Sequence, residues 1–201
     1  MENAYQVVRD FEKTVAHWAG AKYGVAVSSC CNAIFLCLKY LDKGYKIILP
    51  SRTYPGVAMA ALNAGYSIEF SDMNWGGRYM LFPLNVVDSA LSLEKNMYTS
   101  GTFYCLSFHY KKHLPIGRGG MILTDDKKAV EWLKMARFDG RREMPLSKQK
   151  DITVCGYNMY LEPSQAARGL ALFETIKNKN LPDLKVSEQN YPDLRKFSVF
   201  K

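Results

Sequence analysis

Ser107-Phe108-His109-Tyr110-Lys111-Lys112-His113-Leu114-Pro115-Ile116-Gly117-Arg118-Gly119-Gly120-Met121 is the stretch on which the fold turns. An apolar run, residues 102–108, leads into it and reads as a strand; a second, residues 121–124, follows it. The glycines between them mark a tight connection. A lysine held there among apolar groups has its charged form disfavoured, which makes it nucleophilic enough to form a Schiff base. Lys112 and Lys111 are both candidates. The competing reading is an exposed Lys-Lys turn, which we adopt for Lys111.

Working outward, residues 5–18 set Tyr5, Val8, Phe11, Val15 and Trp18 at helical spacing, with Gly20 as a stop. Strands are expected over residues 23–27, 46–50 and 66–70. Helices are expected over residues 31–40, capped by Ser28 or Ser29, and over residues 54–64, ended by Gly65. Residues 73–83 read as irregular, with a turn at Trp75-Gly76-Gly77. Residues 84–87 form a short strand that ends at Asp88. Residues 127–138 and 163–175 read as helices, and residues 141–152 as a polar, mobile loop. From residue 177 the chain is polar with little periodicity. Strands alternating with helices predict an α/β layer fold with a mainly parallel sheet. In such sheets ligands bind at the carboxyl ends of strands. Ser28-Ser29, residues 51–54, Asp88 and residues 107–112 all fall there.

The composition permits this. A chain of 201 residues that is 48% hydrophobic and 13% aromatic can build a sizeable core. No apolar run is long enough to span a bilayer, and the first residues lack the pattern of a signal peptide. The five cysteines are an odd number with no CxxC pair, as expected of reduced thiols in a cytoplasmic compartment. The net charge of +8 is scattered. It suits a solvated basic surface first and attraction to a phosphate-bearing small molecule second. No nucleic-acid-binding motif accompanies it.

The strand-end residues suggest one cofactor. A carboxylate beside a pyridine nitrogen keeps that nitrogen protonated, and Asp88 is placed for this; capping the next helix is its ordinary alternative. Ser29-Cys30-Cys31-Asn32 opens a helix after a strand and offers backbone N–H groups to a phosphate, to which Ser107 can add a hydroxyl. Tyr54 can stack on a flat ring or pack in the core. With a Schiff-base lysine, these point to pyridoxal phosphate. No metal-ligand spacing appears.

Longer motifs carry a resemblance. They are residues 11–29, ending Tyr23-Gly24-Val25-Ala26-Val27-Ser28-Ser29; Pro50-Ser51-Arg52-Thr53-Tyr54; Val87-Asp88-Ser89-Ala90; Ser107-Phe108 with Lys112 and Gly119-Gly120-Met121; Gly156-Tyr157-Asn158; and Gln165-Ala166-Ala167. In this order they resemble the DegT/DnrJ/EryC1/StrS sugar aminotransferases, over about residues 8–176. The resemblance implies the large domain of aspartate aminotransferase fold type I, a three-layer α/β/α arrangement. It selects Lys112 over Lys111 as the Schiff-base lysine, with Asp88 as its catalytic partner and Tyr54 stacked on the ring. Cys30, Cys31, Ser107 and, from a neighbouring subunit, Asn158 would hold the phosphate. That implies a homodimer with shared sites. A nucleotide-linked keto sugar is the implied substrate, and glutamate or glutamine the amino donor.

The sequence also departs from the family. Cys30-Cys31 stands where the family has Gly-Thr, and Leu91 where it has glutamine. Little chain separates Asp72 from Asp88. The N-terminal lead is short, and the small C-terminal domain is expected to be largely missing. Residues 1–176 would then be a reduced cofactor-binding domain, with residues 177–201 as a short tail in place of the small domain. These departures motivate an alternative. A reduced homologue would bind pyridoxal phosphate, a nucleotide sugar or a protein partner without efficient turnover. A dehydratase branch of the family carries histidine in the lysine slot, which Lys112 opposes.

Overall fold

The computed structural model describes residues 4–42 and 44–201. Helix α1 (Gln6–Trp18) buries the expected stripe of Val8, Phe11 and Val15. Strand β1 (Tyr23–Val27) leads to α2 (Cys30–Leu41). Ser29 is the cap of α2, its Oγ accepting from the Asn32 N–H at 3.1 Å. Strand β2 (Ile47–Pro50) is followed by α3 (Pro55–Asn63), which starts on a proline whose missing N–H costs nothing there. Next come β3 (Ile68–Ser71), β4 (Tyr79–Met80), β5 (Val86–Ser89), β6 (Phe103–Ser107) and β7 (Gly120–Thr124). Asp126 caps α4 (Lys127–Ala136), and α5 (Pro163–Ile176) follows. The expected elements are present, with ends that differ by a few residues. Strand β4 lies where an irregular segment is expected.

Five strands form one sheet in the order β1-β7-β6-β5-β4. β1, β5 and β6 run in one direction, and β2 pairs parallel with β3, in line with the expectation. β7 lies between β1 and β6 and opposes both; β4 opposes β5. The sheet is therefore mixed. β4 and β5 are joined by the short connection of residues 81–85 and return antiparallel, whereas the parallel pair β5–β6 is joined by the longer crossover of residues 90–102. The β2–β3 pair continues the sheet through an antiparallel bridge between Ile48 and Phe82.

Side chains alternate between two faces. Val25, Val27, Val86, Phe103, Cys105 and Ile122 pack with α2, α3 and α4. Ala26, Val87, Tyr104, Leu106, Met121 and Leu123 pack with α1 and α5. The result is the three-layer α/β/α arrangement. Asp88 and Ser107 share the parity of Val86 and Cys105, which puts them on the α2 face.

Residues 177–201 are not the unpatterned tail their sequence suggests. The Leu184 N–H donates to the Leu91 carbonyl at 2.8 Å, and the Leu194 N–H to Ser51 at 2.9 Å. Leu194 is fully buried, and Phe200 meets Phe70 edge-on at 5.6 Å. Arg195 pairs with Asp193 at 2.7 Å and Asp72 at 2.8 Å, and its hydrogen bonds hold the Asp193 carboxyl down at about 2. These anchors are single residues at uneven intervals, so they leave no periodic signal. Leu194→Ala is expected to cost about 2–5 kcal/mol of packing. Limited proteolysis should then cut residues 178–193 faster while the sheet stays intact.

The loop expected to be mobile at residues 141–152 is tied down at Glu143, which pairs with Arg137 and with Arg9, each at 2.9 Å. No helix among the described residues is long and apolar enough to cross a membrane.

Candidate active site

The loop that follows β6 is pinned at its base. The Phe108 N–H donates to Gly119 at 2.9 Å, Tyr110 to Gly117 at 3.2 Å, and Lys112 to His109 at 2.9 Å. Leu114 and Ile116 are fully buried beneath it. Lys112 is thereby presented to a cavity of about 500 Å³ at the carboxyl edge of the sheet. Cys30, Cys31, Tyr54, Asp88 and Ser107 line the same cavity. Six of the seven residues singled out from the sequence therefore converge.

Lys112 is half-buried, and desolvation lowers its pKa against the opposing pull of Asp88; Lys111 nearby lowers it further. Asp88, only 4% exposed, lies deeper. Burial raises its pKa, while a hydrogen bond from the Ala90 N–H (3.0 Å) and others from Tyr79 and Cys30 work against that rise. Lys111 is exposed, as expected.

The start of α2 meets β7 at Gly120. A Cβ there would fall 2.6 Å from the Cys30 nitrogen, so only glycine lets the strand pass so close. The N–H groups of Cys30 and Cys31 belong to the first turn of α2, which has no intrahelical acceptors. The Cys30 thiol points inward, 3.3 Å from the Cys105 carbonyl and 3.8 Å from Asp88 Oδ1. It offers nothing to an outer anion, so its contribution there is the backbone N–H. Burial pushes the Cys31 thiol up to about 12. Tyr54, 55% exposed, stands at the mouth. Asn158 lies apart, bridged to Phe138 through its backbone, with its Nδ2 3.3 Å from Asp139 Oδ2.

Sequence reasoning missed several lining residues, among them Trp75, Arg118 and Tyr191. Trp75 was readable only as part of a turn; its indole N–H donates to the Arg52 carbonyl at 3.0 Å. Tyr191 comes from the segment without periodicity. Its ring stacks on Trp75 at 6.2 Å and 17°. Burial, and then the charge of Asp88, push its phenol up to about 12.

This donor set fits pyridoxal phosphate: a buried carboxylate for a ring nitrogen, a helix start for a phosphate, an amine for an aldehyde and a ring for stacking. Among the described residues, no group of three or more His, Cys, Asp or Glu could hold a metal ion.

Comparison with known proteins agrees. A sequence model of the DegT/DnrJ/EryC1/StrS aminotransferase family matches residues 1–82 and 89–188. The spore coat polysaccharide biosynthesis protein SpsC of Bacillus subtilis is 24% identical over 214 residues, covering 81% of this chain and 55% of that protein. The UDP-4-amino-4,6-dideoxy-N-acetyl-beta-L-altrosamine transaminase of Campylobacter jejuni is 24% identical over 208 residues, with the same coverage of 81% and 55%. The chain thus spans about half the length of the curated relatives it matches. AtS13 from Actinomadura melliaura superimposes with a TM-score of 0.74 at 20% identity, covering 86% of this chain and 61% of that one. For 3-amino-5-hydroxybenzoic acid (AHBA) synthase the TM-score is 0.72 at 17% identity, covering 85% and 56%. The fold is that of the type I aminotransferases.

Proposed function

Since the chain belongs to the DegT/DnrJ/EryC1/StrS aminotransferase family, we propose that it is a pyridoxal-phosphate-dependent aminotransferase acting on a nucleotide-linked keto sugar, with glutamate or glutamine as amino donor. The observation that carries this reading is the convergence of Lys112, Asp88, Ser107, Tyr54 and the first turn of α2 on one cavity. The similarity to a UDP-amino-sugar transaminase supports the substrate class. Lys111 and Arg118 on the cavity wall suit a diphosphate.

Bound pyridoxal phosphate supplies an electron sink for the charge left when a proton leaves the amine-bearing carbon. The chain does the rest. Lys112 Nζ, with its charged form disfavoured, can act as a nucleophile and can take and return a proton. Asp88 presents a carboxylate that holds a proton on the ring nitrogen. The N–H groups of Cys30 and Cys31 and the positive end of α2 bind the phosphate, helped by Ser107 Oγ. Tyr54 offers a flat apolar face. Residues 177–201, through Tyr191, form part of the wall that excludes water. The five free thiols suit a reducing, cytoplasmic compartment. A homodimer completes the reading, because Asn158 is exposed where a neighbouring subunit can meet it. A monomer by sedimentation would remove its role.

The test is reduction with borohydride after addition of pyridoxal phosphate. We expect a cofactor mass on the peptide that contains Lys112. We also expect glutamate or glutamine, added first, to abolish the visible absorbance. An adduct on another lysine, or none, rejects the reading. An adduct that no amino donor discharges favours the binding-only alternative.

Asp88→Asn gives a second expected outcome. The raised pKa of Asp88 means that the folded chain binds a proton the unfolded chain has released, so stability falls as pH rises through that window. Without cofactor, the Asn variant should lack this fall and be the more stable of the two above that window, while retaining cofactor poorly. Urea unfolding at a series of pH values above the ordinary carboxylate range checks the first point, and dialysis the second.

A further inference from the structure

Beneath the Asp88 carboxyl lies a polar chain that the proposed function does not use. Strand β4 sets Tyr79 directly opposite Asp88 in the antiparallel register, and Tyr79 is buried. Its hydroxyl lies beside the Asp88 carboxyl and 2.7 Å from Thr53 Oγ1, itself buried in the connection from β2 to α3. The direction of this chain follows from counting protons. An ionised carboxylate only accepts, and the phenol has one hydrogen to give. A phenol that gives its hydrogen to Asp88 leaves its oxygen to accept from Thr53.

We propose that Tyr79, oriented by Thr53, is a positioning residue that keeps Asp88 ionised and aimed at the cavity floor. This rests on the reading of Asp88 as the partner of the cofactor's ring nitrogen. Packing does not explain the hydroxyl. The Tyr79 ring meets Trp75 edge-on at 4.7 Å, a contact that phenylalanine would make equally well. The groups that face Asp88 come from every neighbouring element: Cys30 from α2, Tyr79 from β4, Cys105 as its partner on β6, Lys112 from the following loop and Tyr191 from the C-terminal segment. Burial pushes the Cys30 and Cys105 thiols and the Tyr79 phenol up, so these groups stay neutral and serve as dipoles. Lys112 is the cation of the set, and its own charge is disfavoured. A strong neutral donor to Asp88 is then worth the most, since an uncompensated buried carboxylate would take up a proton instead.

The experiment follows the Asp88 carboxyl itself, without cofactor, by NMR titration of protein labelled with carbon-13 at the aspartate carboxyl. Asp88→Asn identifies the resonance. Tyr79→Phe should raise the Asp88 midpoint by about 1–2 pH units, the equivalent of a hydrogen bond to a charged group. Thr53→Val should raise it by less, with circular dichroism unchanged in both. A midpoint that does not move in folded Tyr79→Phe overturns the proposal. If that variant does not fold, an unmoved midpoint in Thr53→Val overturns it. The parallel borohydride assay separates the two claims. A midpoint that moves in a protein that never takes cofactor on Lys112 upholds the hold on Asp88 and rejects the aminotransferase reading.

Discussion

Lys112→Ala is expected to end covalent attachment of the cofactor and to lower amino transfer by at least about 10²–10⁴-fold, the contribution of a positioned proton carrier alone. The loop is rigid where it matters. It is pinned by three backbone hydrogen bonds at its base and by buried Leu114 and Ile116 beneath. Removal of the side chain should therefore leave the fold and the phosphate site intact. Lys112→Ala should still bind the cofactor by dialysis, more weakly, with no mass fixed by borohydride. Lys111→Ala should keep the adduct, because that side chain is exposed. Adduct formation in Lys112→Ala at the wild-type level would place the chemistry elsewhere. The pH response has a definite sign. A lowered lysine pKa means a larger neutral fraction near neutrality, so attachment should be faster than for a free lysine side chain and should slow as the pH falls.

Glu12→Ala is expected to be the most damaging single change to stability, at about 3–5 kcal/mol. Glu12 lies on the buried face of α1, and one of its oxygens accepts from the Ala26 N–H at 2.9 Å and from the Arg137 guanidinium. Arg137 is 1% exposed; a second pair joins it to Glu143 at 2.9 Å. Lys134 approaches the other Glu12 oxygen at 3.4 Å. Burial would lower the Arg137 pKa, but Glu12 and Glu143 outweigh it and the net shift is upward. Alanine at position 12 leaves a buried guanidinium with Glu143 as its one carboxylate beside the Ala26 carbonyl, and also orphans the Ala26 amide inside β1. Urea unfolding measures the loss. Restoring shape without charge should recover part of it, so Glu12→Gln combined with Arg137→Met should be less destabilised than Glu12→Ala alone. If Glu12→Ala costs under about 1 kcal/mol, the pair is not a structural keystone, since that is the range of exposed ion pairs.

Much of this was legible from local pattern. The helical stripe of α1, the capped start of α2 and the apolar strands each follow from a few neighbouring residues, because side-chain direction repeats within an element. The spacing from Ser107 to Lys112, with Asp88 at another strand end, points to the edge of the sheet where the cavity lies. Three features escaped. Strand β4 is two residues long and follows a Trp-Gly-Gly turn, so Tyr79 gave no strand signal and its place opposite Asp88 stayed hidden. The place of β7 between β1 and β6 depends on which edges are free once the sheet assembles, and no stretch of sequence records it. The aim of the Cys30 thiol at Asp88 and the Cys105 carbonyl follows from how α2 seats on the sheet, which no local spacing records.

Residues 177–201 show the division most clearly. Their sequence has no period because each anchor binds something far away: Leu184 to Leu91, Asp193 beside Arg52, Leu194 to Ser51, Phe200 to Phe70. The sequence by itself determined the elements and the chemistry at the strand ends, since both are written in short-range spacing. Tertiary structure alone decided that Tyr79 and Thr53 lie under Asp88 and that Tyr191 closes one wall. Contacts between distant segments form only when the sheet and its helices have already set the distances between them.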